Sequence, residues 1–207
     1  MLGEASSYQG GYERPNADEA ARIATRHGAS EEEHGLFSSV LSNLLHKDDD
    51  DDDAPTKKPV NADEVEHAAQ AHDKIYSQNG GEPNEQSSSR DLGSAAALQA
   101  FKMFSGGGGS SGGSSNELIG MAMGEAMKLF NAQSGKTGGG SNVDQAEMLQ
   151  NAAMMAMKLY MTHQSSQSNS GGSSSGGIGA LMGMLGGGHQ NQSSSGGLAS
   201  SLLSKLL

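Results

Sequence analysis

Ala126-Met127-Lys128-Leu129-Phe130 is the stretch whose reading decides the fold, because the chain carries it more than once. Ala100-Phe101-Lys102-Met103-Phe104 and Ala156-Met157-Lys158-Leu159-Tyr160 repeat it, and Lys74-Ile75-Tyr76 keeps its last three positions. The four lysines are 28, 26 and 30 residues apart. Each copy closes a stretch with helical spacing and precedes Gly- or Ser-rich sequence. A period of this size marks one supersecondary unit used repeatedly, each copy too small to bury its apolar face alone.

Working outward, the periodicity predicts four helices at roughly 61–77, 91–104, 116–131 and 142–163, with Asn61, Asp91, Asn116 and Asn142 as caps. In the third, Leu118, Ile119, Met121, Ala122, Met123, Ala126, Met127, Leu129 and Phe130 form a wide apolar arc. Glu117, Gly120, Gly124, Lys128 and Asn131 share the remaining narrow face. So wide an arc belongs to a helix that touches more than one neighbour. The fourth helix is similar, and from Ala152 to Met161 its only charge is Lys158.

Two further helices precede these. Asn16 caps one through Asp18-Glu19 to Arg26-His27, stopped by Gly28, with acids in the first turn and cations in the last. Ser30-Glu31-Glu32-Glu33 reads as a capping box for a second, whose Leu36, Phe37, Val40, Leu41, Leu44 and Leu45 share a face. No alternating β-branched run signals a strand. The expected fold is all-α, a small helical-repeat bundle with long disordered Gly/Ser-rich and acidic segments. Its parts are a tail at 1–15, a helical segment at 16–46, an acidic and Pro-bearing linker at 47–60, a repeat core at 61–163 and a Gly/Ser-rich tail with short apolar helices at 164–207.

Composition narrows the function classes. The 207 residues include 31 Gly and 34% hydrophobics, so about half the chain can enter a core. Residues 1–90 hold 8 Lys/Arg against 19 Asp/Glu, a net of −11, while 91–207 hold 5 of each. No basic stripe exists to neutralise phosphates, which argues against nucleic acid. Six adjacent aspartates, Asp48 to Asp53, read as a solvated spacer, lacking the spaced ligands and Gly of a calcium loop. The absence of cysteine fits a reducing compartment, and the first residues carry no secretory pattern, so the expected location is cytoplasmic.

No residue set reads as catalytic, cofactor-binding or metal-binding. Ser134-Gly135-Lys136-Thr137 mimics the end of a phosphate loop, but Phe130 stands where that loop needs its first Gly, and a helix precedes it. Gly108-Gly109-Ser110-Ser111-Gly112 and Gly172-Ser173-Ser174-Ser175-Gly176 fit the nucleophile-elbow spelling only because low-complexity Ser/Gly generates it. The seven histidines are scattered, and His67 and His72, five apart, do not share a helical face.

Eight of the 12 methionines lie between 116 and 161. They read either as core filling or as an adaptable binding surface, for which Met121, Met123, Met127, Met154, Met157 and Met161 are the candidates. Leu198 to Leu207 matches Leu36 to Leu45 at 7 of 10 positions, by a shared role or by chance.

The run Leu92-Gly93-Ser94-Ala95-Ala96-Ala97-Leu98-Gln99-Ala100-Phe101-Lys102-Met103-Phe104, the Glu117-Leu118-Ile119-Gly120-Met121-Ala122-Met123 stretch and Gly176-Gly177-Ile178-Gly179 resemble a family of fungal proteins named "beta-flanking protein". The resemblance covers roughly 36–185. It implies a fungal source and a helical domain, and carries no activity, cofactor or site residue. The expected function is a non-enzymatic interaction protein that self-associates or binds partner segments. The alternative is a peripheral membrane protein held through Ile178 to Leu185 and Leu198 to Leu207, although Lys205 is the latter's only charge and interfacial helices carry a basic face.

Overall fold

Helices in this chain begin wherever a side chain can accept from the orphan N–H groups of a first turn. The computed structural model describes residues 15–49, 57–106, 113–137 and 143–168. Asn16 accepts from the N–H groups of Asp18 and Glu19 and starts α1 (Ala17–Arg26). A short 3-10 turn, Glu31–Glu33, in which Glu33 accepts from the Ser30 N–H at 2.8 Å, leads into α2 (His34–Asp49). The reciprocal box of Asn61 and Glu64 starts α3 (Ala62–His72), which continues as a π-helical turn over Asp73–Gln78. The helices α4 (Ser89–Gly106), α5 (Ser115–Thr137) and α6 (Gln145–Ser168) follow. No strand occurs among the described residues. The protein is an all-α bundle.

Three caps differ from expectation. Ser88 caps α4, its hydroxyl accepting from the Asp91 N–H while Asp91 accepts from the Ser88 N–H. Ser114 and Asp144 cap α5 and α6, in place of Asn116 and Asn142. Asn116 is instead drawn into a tertiary contact: its carbonyl accepts from the Asn16 N–H at 2.6 Å and its amide donates to Glu19 at 2.9 Å. Position 142 lies outside the described residues.

The repeated signature closes the α3 unit but not α5 or α6. Gly80 and Gly81, both with positive φ, end the π turn, and the Gly81 N–H reaches the Ile75 carbonyl at 2.8 Å. By contrast α5 runs on past Phe130, because buried Gln133 donates to the Asn84 and Ser87 carbonyls at 2.9 and 3.2 Å. The α3–α4 connection thereby holds the extra turns. Ser134 to Thr137 is the end of this helix and not a loop.

At the centre is α5, with ten successive residues, Leu118 to Met127, buried. It packs against α1, α4 and α6; α3 lies on α4, and α2 lies on α1 and α6. The wide apolar arc is thus accounted for by α4 and α6. The face of Gly120 and Gly124, which sequence left as the narrow side, receives α1. A Cβ on Gly120 would stand 2.6 Å from the Ala20 carbonyl oxygen, and one on Gly124 2.9 Å from that of Ala24. Ala20 and Ala24 present equally small side chains, so the two backbones approach closely. Gly93 does the same for α4 against Met148 and Ala152 of α6.

Phe37, Val40, Leu41 and Leu44 of α2 join the same core as Leu98, Met123 and Leu159. The bundle therefore closes on itself, its first helix returning to its fifth. Ile178 to Leu185 and Leu198 to Leu207 lie outside the described residues.

Candidate functional site

A lone lysine in an apolar stretch of helix needs an acid, and Lys158 finds one 94 positions earlier in the chain. Its side chain is only 8% exposed, and the ammonium donates to Glu64 Oε1, whose side chain is 23% exposed. The other oxygen, Oε2, accepts from the Asn61 N–H at 3.1 Å. One carboxylate thus completes the α3 cap and neutralises a charge on α6. Burial opposes the Glu64 charge, but the Lys158 hydrogen bond, the Asn61 N–H and the Lys158 and Arg90 charges outweigh it, so its pKa falls below the ordinary carboxylate value.

This pair forms one wall of a cleft of about 230 Å³ between α3, α4 and α6. Glu64 and His67 line it from one turn of α3, Arg90 and Ser94 from one face of α4, and Asn151, Met154, Met155 and Lys158 from α6. At its rim His67 Nε2 lies 3.0 Å from Asp91 Oδ1. The other Asp91 oxygen accepts from the Ser88 N–H at 3.1 Å. Each carboxylate oxygen in the cleft is therefore engaged.

A second polar cluster sits deeper. Buried Glu125 accepts from Lys128 Nζ at 2.7 Å and from the Tyr76 hydroxyl at 3.3 Å, tying the π turn to α5. Burial, then the charge and hydrogen bond of Glu125, raise the Tyr76 pKa far above its usual value, so the phenol stays protonated. His72 stacks on Tyr76 at 4.8 Å and pairs with Gln99 Oε1 at 2.7 Å. Burial lowers the His72 pKa; the Gln99 hydrogen bond and Asp73 oppose this, and Lys102 adds to it. A neutral imidazole is the resting form. These groups serve as a seam between helices, filled by side chains that satisfy one another.

Of the methionines proposed from sequence as a binding surface, Met121, Met123, Met127 and Met157 are buried in the chain's own core. Met127 sulfur also accepts from Gln145 Nε2 at 3.2 Å. Met154 and Met161 are half-buried, and Met154 lines the cleft. The structure brings none of these six together as one exposed patch. Sequence reading missed the cleft. Its one legible signal was Lys158, alone among apolar residues. Among the described residues, no three His, Asp or Glu side chains converge as a metal site, and no helix is long and apolar enough to cross a membrane.

Residues 16–109 match the family described as Domain of unknown function (DUF7721). No curated protein and no solved structure matches the chain. The matched span runs from α1 into the segment after α4. It stops short of α5, on which α1 packs, and of α6, on which α2 packs, so the core of this chain needs more than the matched residues.

Proposed function

We propose that this chain is a non-enzymatic helical interaction protein whose cleft between α3, α4 and α6 holds a segment of a protein partner or of a second copy. One observation carries the reading. The side chains of Arg90, Ser94 and Asn151 line the cleft yet make no hydrogen bond or contact ion pair among the described residues, and the Arg90 charge acts on Glu64 only from beyond contact. Donors left unused beside the half-buried Met154 are what a bound segment would satisfy, its acceptors on the polar side and its apolar atoms on the thioether. The wholly engaged core methionines leave Met154 as the adaptable part of that surface. A cysteine-free chain of this kind suits the cytoplasm.

The test is site-specific photo-crosslinking in cells, with the full chain carrying a diazirine methionine analogue at position 154 or, as control, at exposed position 85. A discrete adduct from position 154 that disappears in an Arg90→Ala background is the expected result. An adduct of twice the chain's mass would assign the partner as a second copy. Absence of any adduct from position 154, or the same adducts from both positions, would refute the cleft as a binding site.

A further inference from the structure

Resting on the cleft as a binding site, we infer that it is specific for a single carboxylate carried next to a small apolar group, as on an acidic or C-terminal residue of a peptide. The inventory of donors and acceptors points one way. Glu64 and Asp91 have both oxygens of each carboxylate committed, to Lys158 and the Asn61 N–H, and to His67 and the Ser88 N–H. On the donor side much is spare. The Arg90 guanidinium offers five N–H groups, the Asn151 amide two and the Ser94 hydroxyl one, none spent among the described residues. Lys158 gives one of its three protons to Glu64. Asn151 and Ser94 each also keep an acceptor oxygen, but Arg90 and Lys158 offer donors alone, so a ligand fitted to this surplus brings more acceptors than donors.

Charge sets the valence. Lys158 is paired with Glu64 and His67 lies against Asp91, which leaves Arg90 as the cation of the cleft without a contact ion pair. A monoanion meets the free guanidinium in a planar, two-pronged geometry. A doubly charged phosphate would face two carboxylates with only one cation unpaired. The size agrees, since about 230 Å³ accommodates one amino-acid residue. Met154 and Met155 form the apolar wall, so the carboxylate and an aliphatic group enter together. The chain's net charge of −11 repels anions at long range, but screening over about 8 Å at physiological salt leaves the cleft's own groups to decide.

The test uses the full chain, isotopically labelled at Arg Nε, Asn side-chain amide and Met methyl positions, titrated with N-acetyl-leucine and with N-acetyl-leucinamide. The acid is expected to shift the Arg90, Asn151 and Met154 signals saturably. The amide, lacking the charge, should bind about tenfold more weakly or not at all. Arg90 is exposed, so Arg90→Gln leaves the fold intact and should weaken the acid about tenfold, and Asn151→Ala should weaken it too. Equal binding of acid and amide would overturn the carboxylate assignment while leaving the cleft as a binding site. Shifts confined to residues outside the cleft, or none with either compound, would overturn the inference outright, and the crosslink from position 154 would then judge the cleft separately.

Discussion

Substituting Gly120 by Ala probes the closure of the bundle with one methyl group. The added Cβ would lie 2.6 Å from both the Ala20 carbonyl oxygen and the Ile23 Cβ. The oxygen is backbone and cannot swing aside, so α1 must move away from α5. Overpacking of this kind costs about 1–3 kcal/mol, at the upper end here because the obstacle is rigid. Better helix propensity returns about 1 kcal/mol, leaving a net loss of about 2 kcal/mol. Gly35, exposed on α2, has no atom within 4 Å of its Cβ position, so Gly35→Ala should gain about 0.5–1 kcal/mol. Urea unfolding of both variants reads the contrast: the Gly120→Ala midpoint should fall by about 1 M and that of Gly35→Ala should rise. If Gly120→Ala is stabilising to the same degree as Gly35→Ala, α1 does not seat on that face and the closed bundle is wrong.

Removing one half of the Glu64–Lys158 pair by Lys158→Met should destabilise by about 1–3 kcal/mol, discounted for the 23% exposure of Glu64, and Glu64→Gln in the same chain should restore part of the loss in denaturant melts. Asn116→Ala removes both bonds to α1 and should cost about 1–2 kcal/mol by the same assay. The His72 pKa is lowered in the fold, so the unfolded chain binds the proton first: stability should be full above the ordinary value of 6.5 and decline as pH falls from there through the folded value. His72→Gln should remove that part of the pH dependence in melts between pH 8 and 5, and an unchanged profile would show that the imidazole is not buried.

Much of the fold was readable because helical period, caps and stops act locally. Asn16, Asn61 and the Gly28 stop read correctly for that reason. Ser114-Ser115-Asn116 offers three competent caps in a row, and local propensity has no means to choose; a contact with Asn16 and Glu19, about a hundred residues away, took Asn116 out of contention. Glycine is ambiguous in the same way. On a helix it marks either a slack surface or a close crossing, and only the arrival of Ala20 and Ala24 decides for Gly120 and Gly124. The cleft was the least legible part, since Glu64, Arg90, Asn151 and Lys158 sit on three helices and no period links them. The methionines had two readings by nature, because a flexible thioether suits a core and a surface alike.

Hydrogen exchange on the full chain tests most directly whether α5 is the centre on which α1, α4 and α6, and with them the cleft walls, are built. Amides of α5 from Leu118 to Met127 should be the slowest in the protein, opening only with global unfolding and matching the free energy from denaturant melts. Exchange of those amides by local opening, faster than the amides of α3 or α6, would contradict it.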